Sequence, residues 1–376
     1  MHYLAITTPT LQRSLTVLAG ICLTIFLIQL ADRIQPRTYA FRWQNISSRI
    51  QLRVVWLSLG TIIVITILTG VGLIVGDYPI PMSKAIATAL WDRNGEYDFI
   101  INSLRFPRIV VAILAGMCFA SSGLIFQSLI NNPLVSPDII GINSGAAVLA
   151  VAILAAGGNI QYLPWAAFLG ALLTAALIYL LSWKRGISAT RLVLVGIGIN
   201  ALLGAIITYI TIKYPIERVV AAARWQAGTL FGATWDDART LLIGLLILLP
   251  SAFFLITRLR ILQLGDETAI TIGSKIERDR LALLAVASLL AALAVAVVGP
   301  LGFVALIVPQ AARLLVGSIT GGVLIFTALL GGFFLLGADL IAQRLFAPVM
   351  LPAGVITATF GGPYFLYLLA RYNRAN

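Results

Sequence analysis

The chain has 376 residues, of which 60% are hydrophobic and 11% charged, and its mean hydropathy is +0.99. A soluble fold of this length cannot hide so much apolar surface. No alternating strand-length segments suggest a barrel, so the composition reads as an all-α, polytopic helical membrane protein. The net charge of +12 does not point to nucleic acid, because Lys and Arg gather at the ends of apolar runs, where they set orientation.

A span needs about 20 apolar residues to cross a core roughly 30 Å thick. Apolar runs and their breakers predict eleven spans, at 12–30, 54–76, 106–130, 139–157, 163–183, 191–212, 239–257, 280–298, 301–317, 320–343 and 351–370. The first run has rivals: a signal sequence, or a translation start further in. Its basic flank is only Arg13, no small-x-small cleavage site follows, and the arginine cluster lies after it. These features favour a retained span with the N-terminus outside. The run 301–317 is short and follows Gly299-Pro300, which reads as a tilted or partly buried segment.

Basic residues fix the orientation. Arg33, Arg37, Arg42, Arg49 and Arg53, then Lys184, Arg185 and Arg191, then Arg371 and Arg374 all fall on one side of eleven spans. That side is expected to be cytoplasmic, with the C-terminus on it.

In chain order, the first feature with a possible mechanism is LRFPR, with Arg105 and Arg108, joined by Arg344 in ADLIAQRLFAP. These arginines stand at the outer ends of spans. Two readings are open: a docking surface for acidic groups of a soluble partner, or arginines snorkelling to headgroups. Next comes NNPLVSPDIIGINSGAA, 131–147. Pro133 and Pro137 forbid a continuous helix, so it reads as a tight inner-side turn, either a gate or a plain connection. Gly196, Gly198, Ala201 and Gly204, and later Gly331, Gly332 and Gly337, slim two spans for close packing or for lining a path.

The most charge-dense segment is LQLGDETAITIGSKIERDR, 262–280. It is too polar for lipid and reads as two short helices broken at Gly265, with Asp266 and Glu267 opening the second. Such a hairpin is either a solvated loop or the element on which a soluble motor pushes. Gly273-Ser274-Lys275 lacks the spacing of a phosphate loop, so ATP binding by that motif is not expected. The single histidine is His2, and Cys22 and Cys118 have no companion at metal-ligand spacing, so no metal site is expected. Asp339 is the exceptional carboxylate within a span. An ion-coupled secondary transporter needs more of these, and a membrane enzyme needs a polar cluster that the sequence does not offer.

From residue 42 onward the chain resembles the permease subunits of type II ABC importers for iron-siderophores, haem and cobalamin, the FecCD-type family. The matching strings are RFPR at 105–108, NNPLVSPDIIG, LVLVGIGINALL at 192–203, WQAGTLFGATW at 225–235, LQLGDETA at 262–269, VVGPLGFVALIVPQAAR at 297–313, LLGADLIAQR at 335–344 and LPAGVITATFGGPYFLYLL at 351–369. The pattern is most similar to the second permease of ferric-enterobactin-type systems, which pairs with a related sister permease.

The resemblance implies a ten-helix permease domain over 42–376, preceded by an extension, 1–41, with an extra transmembrane helix. It implies coupling helices over about 262–277, with Leu264, Gly265, Asp266, Glu267, Ala269 and Gly273 seated in separate ATPase subunits that hold ATP and magnesium. It implies docking of a periplasmic or lipid-anchored binding protein on Arg105, Arg108 and Arg344. Asn132, Leu134 and Thr190 match the family's cytoplasmic gates. The chain itself is then no enzyme and holds no cofactor; it moves a ferric siderophore across the inner membrane, with haem or cobalamin as alternatives. The sequence departs from the family at Gln343, where the third docking arginine is usual and Arg344 follows one residue later. On a helix that is a rotation of about 100°. Met350 and Gln310 also replace the usual acidic residue and histidine.

Overall fold

Backbone N–H and C=O groups in hydrocarbon must be satisfied within the protein, so apolar spans fold as helices. The computed structural model describes residues 38–375 except 44, 45, 75–77, 79, 92–94, 185, 187, 318 and 346–350. The predicted span 12–30 and Met350 lie outside the described residues.

The chain first forms a two-stranded antiparallel hairpin, β1 (Thr38–Trp43) and β2 (Ile46–Gln51), in register from Thr38↔Gln51 to Trp43↔Ile46. A connecting loop was expected here. The alternation of Tyr39, Phe41 and Trp43 with Ala40 and Arg42 is the period-two signal of a strand.

The helices follow as α1 (Leu52–Ile74), α2 (Met82–Leu90), a π-helical turn (Phe99–Arg105) that runs into α3 (Phe106–Leu129), α4 (Pro137–Ile140), α5 (Ile142–Ala156), α6 (Leu163–Ser182) and α7 (Ala189–Lys213). Then come α8 (Ile216–Gln226), α9 (Trp235–Leu262), α10 (Asp266–Thr271), α11 (Ile276–Val298), α12 (Val304–Val316), α13 (Gly321–Leu345) and α14 (Ala353–Ala375). Among the described residues seven helices are long and apolar enough to cross a membrane, and α5 and α12 are shorter apolar helices. Span 239–257 extends at both ends as α9. A capping box closes its start, with Thr234 and Asp237 each accepting from the other's backbone N–H.

The helix α3, with its π-helical lead, is the central post, and 83% of its apolar window is buried. It crosses α13 at Gly116, Gly331 and Gly332, so closely that a Cβ on Gly116 or Gly331 would overlap the other's carbonyl. Small residues permit this backbone approach, and packing rather than apolar burial holds helices together in lipid.

Hydrogen bonds sort the helix ends. Arg105 reaches the C-terminal carbonyls of α1, Trp235 at the start of α9 donates to Asn102 O, and Arg108 reaches Asp339 late in α13. These form one end of the bundle. At the other, Gln263 donates to Ser128 O, Gly186 approaches Glu277 and Gly322 approaches Val54. The basic positions Arg53, Lys184 and Arg191 thus share an end with α10, as the loop charges imply.

Two segments leave helical geometry inside the bundle. Pro133 and Pro137 bring a turn and the one-turn α4, as expected, and Gly141 (φ 103°) breaks into α5. Gly145 of α5 packs on Gly170 and Thr174 of α6, so α5 begins near the middle of α6 and the segment is more than a surface turn. The second break is 299–303, ending at Phe303 with φ 69°, a conformation that a bulky residue rarely adopts. Asp138 joins the two breaks. Its Oδ2 accepts from Phe303 N–H at 3.2 Å and its Oδ1 from Asn143 Nδ2 at 2.8 Å. Gln127 donates to Leu306 O at 2.9 Å and Gln310 to Pro133 O at 3.2 Å.

Gly331→Leu is expected to destroy the α3–α13 crossing, with no monodisperse protein recovered in detergent, whereas Gly337→Ala, with nothing within 4 Å, should leave recovery and melting unchanged. Asp138→Ala strands two donors and should cost about 1–3 kcal/mol, read as a lower melting temperature of purified protein. Asp138→Asn keeps one acceptor oxygen and should cost less.

Candidate functional site

Unwound backbone at membrane depth persists where it is buried in protein or lines a water-filled cavity. The break at 299–303 borders an open depression. Pro300 and Gly302 line it, about 520 Å³, together with Gln226, Gly354, Val355 and Thr359. Its walls come from the end of α8, the break itself and the start of α14. Thr229 N–H donates to Val298 O at 2.9 Å and Gly354 N–H to Gly228 O at 3.1 Å, which ties these walls together. The depression offers few polar groups, Gln226 and Thr359 among them.

At the arginine end the three predicted docking residues are engaged within the chain. Arg105 Nη1 donates to Leu73 O at 2.6 Å and Nη2 to Tyr78 O at 2.7 Å, capping the carbonyls left open where α1 ends. Arg108 forms a bidentate pair with Asp339, Nε to Oδ2 at 2.9 Å and Nη2 to Oδ1 at 2.8 Å. The Arg108 side chain is 13% exposed and that of Asp339 1%. Gln343 Nε2 donates to the same Oδ2 at 2.8 Å. Arg344 is half-buried and makes contacts of its own. Sequence reasoning treated Arg108 as a rim cation and Asp339 as a lone carboxylate. The signal that could have joined them is that an intramembrane carboxylate needs a cation.

At the opposite end the expected pair of short helices resolves differently. The first is simply the end of α9, which runs unbroken to Leu262, and α10 is the single separate short helix. Gly265 at φ 95° and Gly273 at φ 85° bracket it in backbone that favours glycine. Asp266 and Glu267 lie in its first turn and Ala269 is buried, while Leu264, Ile270 and Ile272 are exposed. Asp266 Oδ1 accepts from Arg280 Nη2 at 2.6 Å, and Ser274 donates to Asp279 Oδ2 at 2.7 Å. Arg258 lies 3.7 Å from Asp279. These contacts, which the sequence did not reveal, fasten α10 to α11 and α11 to α9.

Asn132 and Leu134 share one turn, in which Leu134 N–H donates to Asn132 Oδ1 at 2.9 Å. Thr190 is exposed near the start of α7, and among the described residues no hydrogen bond joins it to that turn. Gln263, at the foot of α10, donates to Ser128 O at 3.3 Å, four residues before Asn132. On α7, Gly196 packs against Ile140, whereas Gly198 and Gly204 meet nothing within 4 Å. Only 6% of this span's window is buried.

The description of the FecCD transport family fits residues 61–371. The ferric enterobactin transport system permease protein FepG of Escherichia coli is 38% identical over 304 residues, covering 81% of this chain and 92% of that protein. The Fe(3+)-citrate import system permease protein YfmE of Bacillus subtilis is 41% identical over 287 residues, 76% of this chain and 86% of that protein. Among solved structures, an inward-facing metal-chelate-type ABC transporter matches with a TM-score of 0.74 at 26% identity, covering 84% of this chain and 99% of that one. With the helical bundle, the broken spans and the sequence strings all in agreement, this chain belongs to the FecCD transport family and is a multi-pass membrane permease.

Proposed function

We propose that this chain is one of two permease subunits of an ATP-driven importer that carries a ferric siderophore through the inner membrane into the cytoplasm. The observation that carries the reading is the extent of the FepG match, 92% of that protein, together with the family match over 61–371, which takes in the break at 299–303, the arginine end and α10. ATP and Mg²⁺ belong to separate ATPase subunits. They would grip α10 through the exposed Leu264, Ile270 and Ile272, while Asp266 and Glu267 present charge at its start. A push on α10 would reach α11 through Asp266–Arg280, and the end of α3 through Gln263–Ser128, beside the gate residues Asn132 and Leu134. Thr190 completes the gate from α7. The end carrying Arg53, Lys184 and Arg191 is cytoplasmic on this reading, as is the C-terminus.

At the outer end, Arg105, Arg108 and Arg344 would receive acidic groups of a substrate-binding protein. The open face of α7, with Gly198 and Gly204, suits a second, related permease across the path. Alternation between inward and outward forms then needs only a bundle with two packings that the ATPase biases.

Uptake of radiolabelled iron into cells expressing the chain with its ATPase and binding protein tests the reading. Iron should enter as one ferric siderophore and stop when ATP is depleted. Uptake of haem or cobalamin alone would change the cargo, and uptake that follows an ion gradient rather than ATP would overturn the mechanism. Gly265→Pro, which forbids φ 95°, should abolish uptake with the protein still in the membrane. Asp266→Lys with Glu267→Lys should do the same, and co-purification of the ATPase should fall in both cases.

A further inference from the structure

The bidentate pair between Arg108 and Asp339 leaves part of the guanidinium unused. Arginine has five N–H donors in a planar fork. The Nε–Nη2 edge is spent on the two Asp339 oxygens. The opposite edge, made by Nη1 and the second Nη2 proton, makes no hydrogen bond among the described residues, and it has the geometry to take a second carboxylate in the same bidentate manner. Asp339 is itself held: Gln343, one turn along α13, donates to its Oδ2 at 2.8 Å. Arg108 therefore stands on α3 with its long side chain fixed from α13, where a free arginine would have many rotamers to give up on binding.

We propose that Asp339 is a positioning residue for docking. It grips Arg108 by the Nε edge, braced by Gln343, and thereby presets the Nη1 edge for an acidic side chain of the substrate-binding protein. Gln343 thus has a task that differs from supplying a third cation: it keeps the Asp339 carboxylate in the plane that the fork requires. The inference rests on the docking role of Arg108 given above.

The test uses the complete transporter reconstituted in lipid nanodiscs, titrated with the purified substrate-binding protein at low and at physiological salt, alongside thermal melting of the complex. Asp339→Asn and Arg108→Ala should each weaken docking about tenfold; salt dependence should flatten in Arg108→Ala, which loses the cation, and persist in Asp339→Asn, which keeps it. The double variant should dock no more weakly than Arg108→Ala alone, because one residue acts through the other. Gln343→Ala should give a smaller loss of the same kind, and Asp339→Glu should recover part of the affinity. Exchanging the charges, Arg108→Asp with Asp339→Arg, should raise melting above either single reversal without restoring docking. Losses that add in the double variant, or an Asp339→Asn transporter that melts lower yet docks normally, would restrict Asp339 to holding α3 against α13. If Arg108→Ala docks as the unaltered transporter does, the docking role of Arg108 falls, and this proposal with it.

Discussion

Hydrocarbon offers no hydrogen bond, and that constraint governs the centre of this bundle. Continuous helices meet it by themselves. Where the chain leaves helical geometry, at 131–141 and at 299–303, side chains from elsewhere must meet it. Asp138 satisfies Phe303 N–H, Gln127 serves the first-turn carbonyl of α12, and Gln310 serves Pro133 O. Since Gln127 stands on α3, Gln310 on α12 and Asp138 between the proline turn and α5, the two breaks support each other. Neither can shift far without stranding polar groups belonging to the other. The proline turn and the break at 299–303 are in this sense one mechanical part.

The two ends of the bundle are built at different electrostatic strengths. The pair Asp266–Arg280 lies near water, with Asp266 about half exposed. Such exposed pairs contribute roughly 0–1 kcal/mol, so α10 can be reoriented at little cost while remaining attached. In Arg108–Asp339 the carboxylate is buried and the guanidinium keeps a small exposed part. Removing one partner of a buried pair leaves an uncompensated charge and costs about 3–5 kcal/mol. A soft attachment at the α10 end and a stiff one at the arginine end suit a machine that is driven from one side and must keep its other side in shape.

Among the described residues, seven of the eleven expected spans match helices long and apolar enough to cross a membrane, because hydropathy and length decide them, whereas 139–157 and 301–317 are shorter helices interrupted by the breaks; the family strings located α10, the arginines and the proline turn. The ends of spans were less legible. Asp236 and Asp237 fell outside the expected span 239–257, yet Thr234 and Asp237 cap a helix whose charged first turn rises beyond the apolar run. The hairpin of β1 and β2 was hidden because its alternation is carried by only three aromatic residues, Tyr39, Phe41 and Trp43, and lapses in the mostly polar stretch 44–49. What no local pattern contains is pairing over distance. Arg108 and Asp339 are 231 positions apart, and Asp138 and Phe303 are 165 apart. Both partnerships are consequences of how α3, α12 and α13 cross. The left-handed backbone at Phe303 also has no sequence signal, since a phenylalanine there is imposed by the packing of Asp138 and Gly361 around it.

The span α7 has almost no cover of its own, with 6% of its window buried. In water such a helix would force immediate association or aggregation. A bilayer behaves differently: lipid tails are as apolar as the side chains they would surrender, so an uncovered face is already in a good solvent. Folding of this chain and the proposed pairing with a second permease are therefore separate events with separate driving forces. The second event gains little from hiding apolar surface and depends on how closely the slim Gly198–Gly204 face is matched. Its thermodynamic mark would be a small heat-capacity change, unlike the large one that accompanies assembly of soluble subunits.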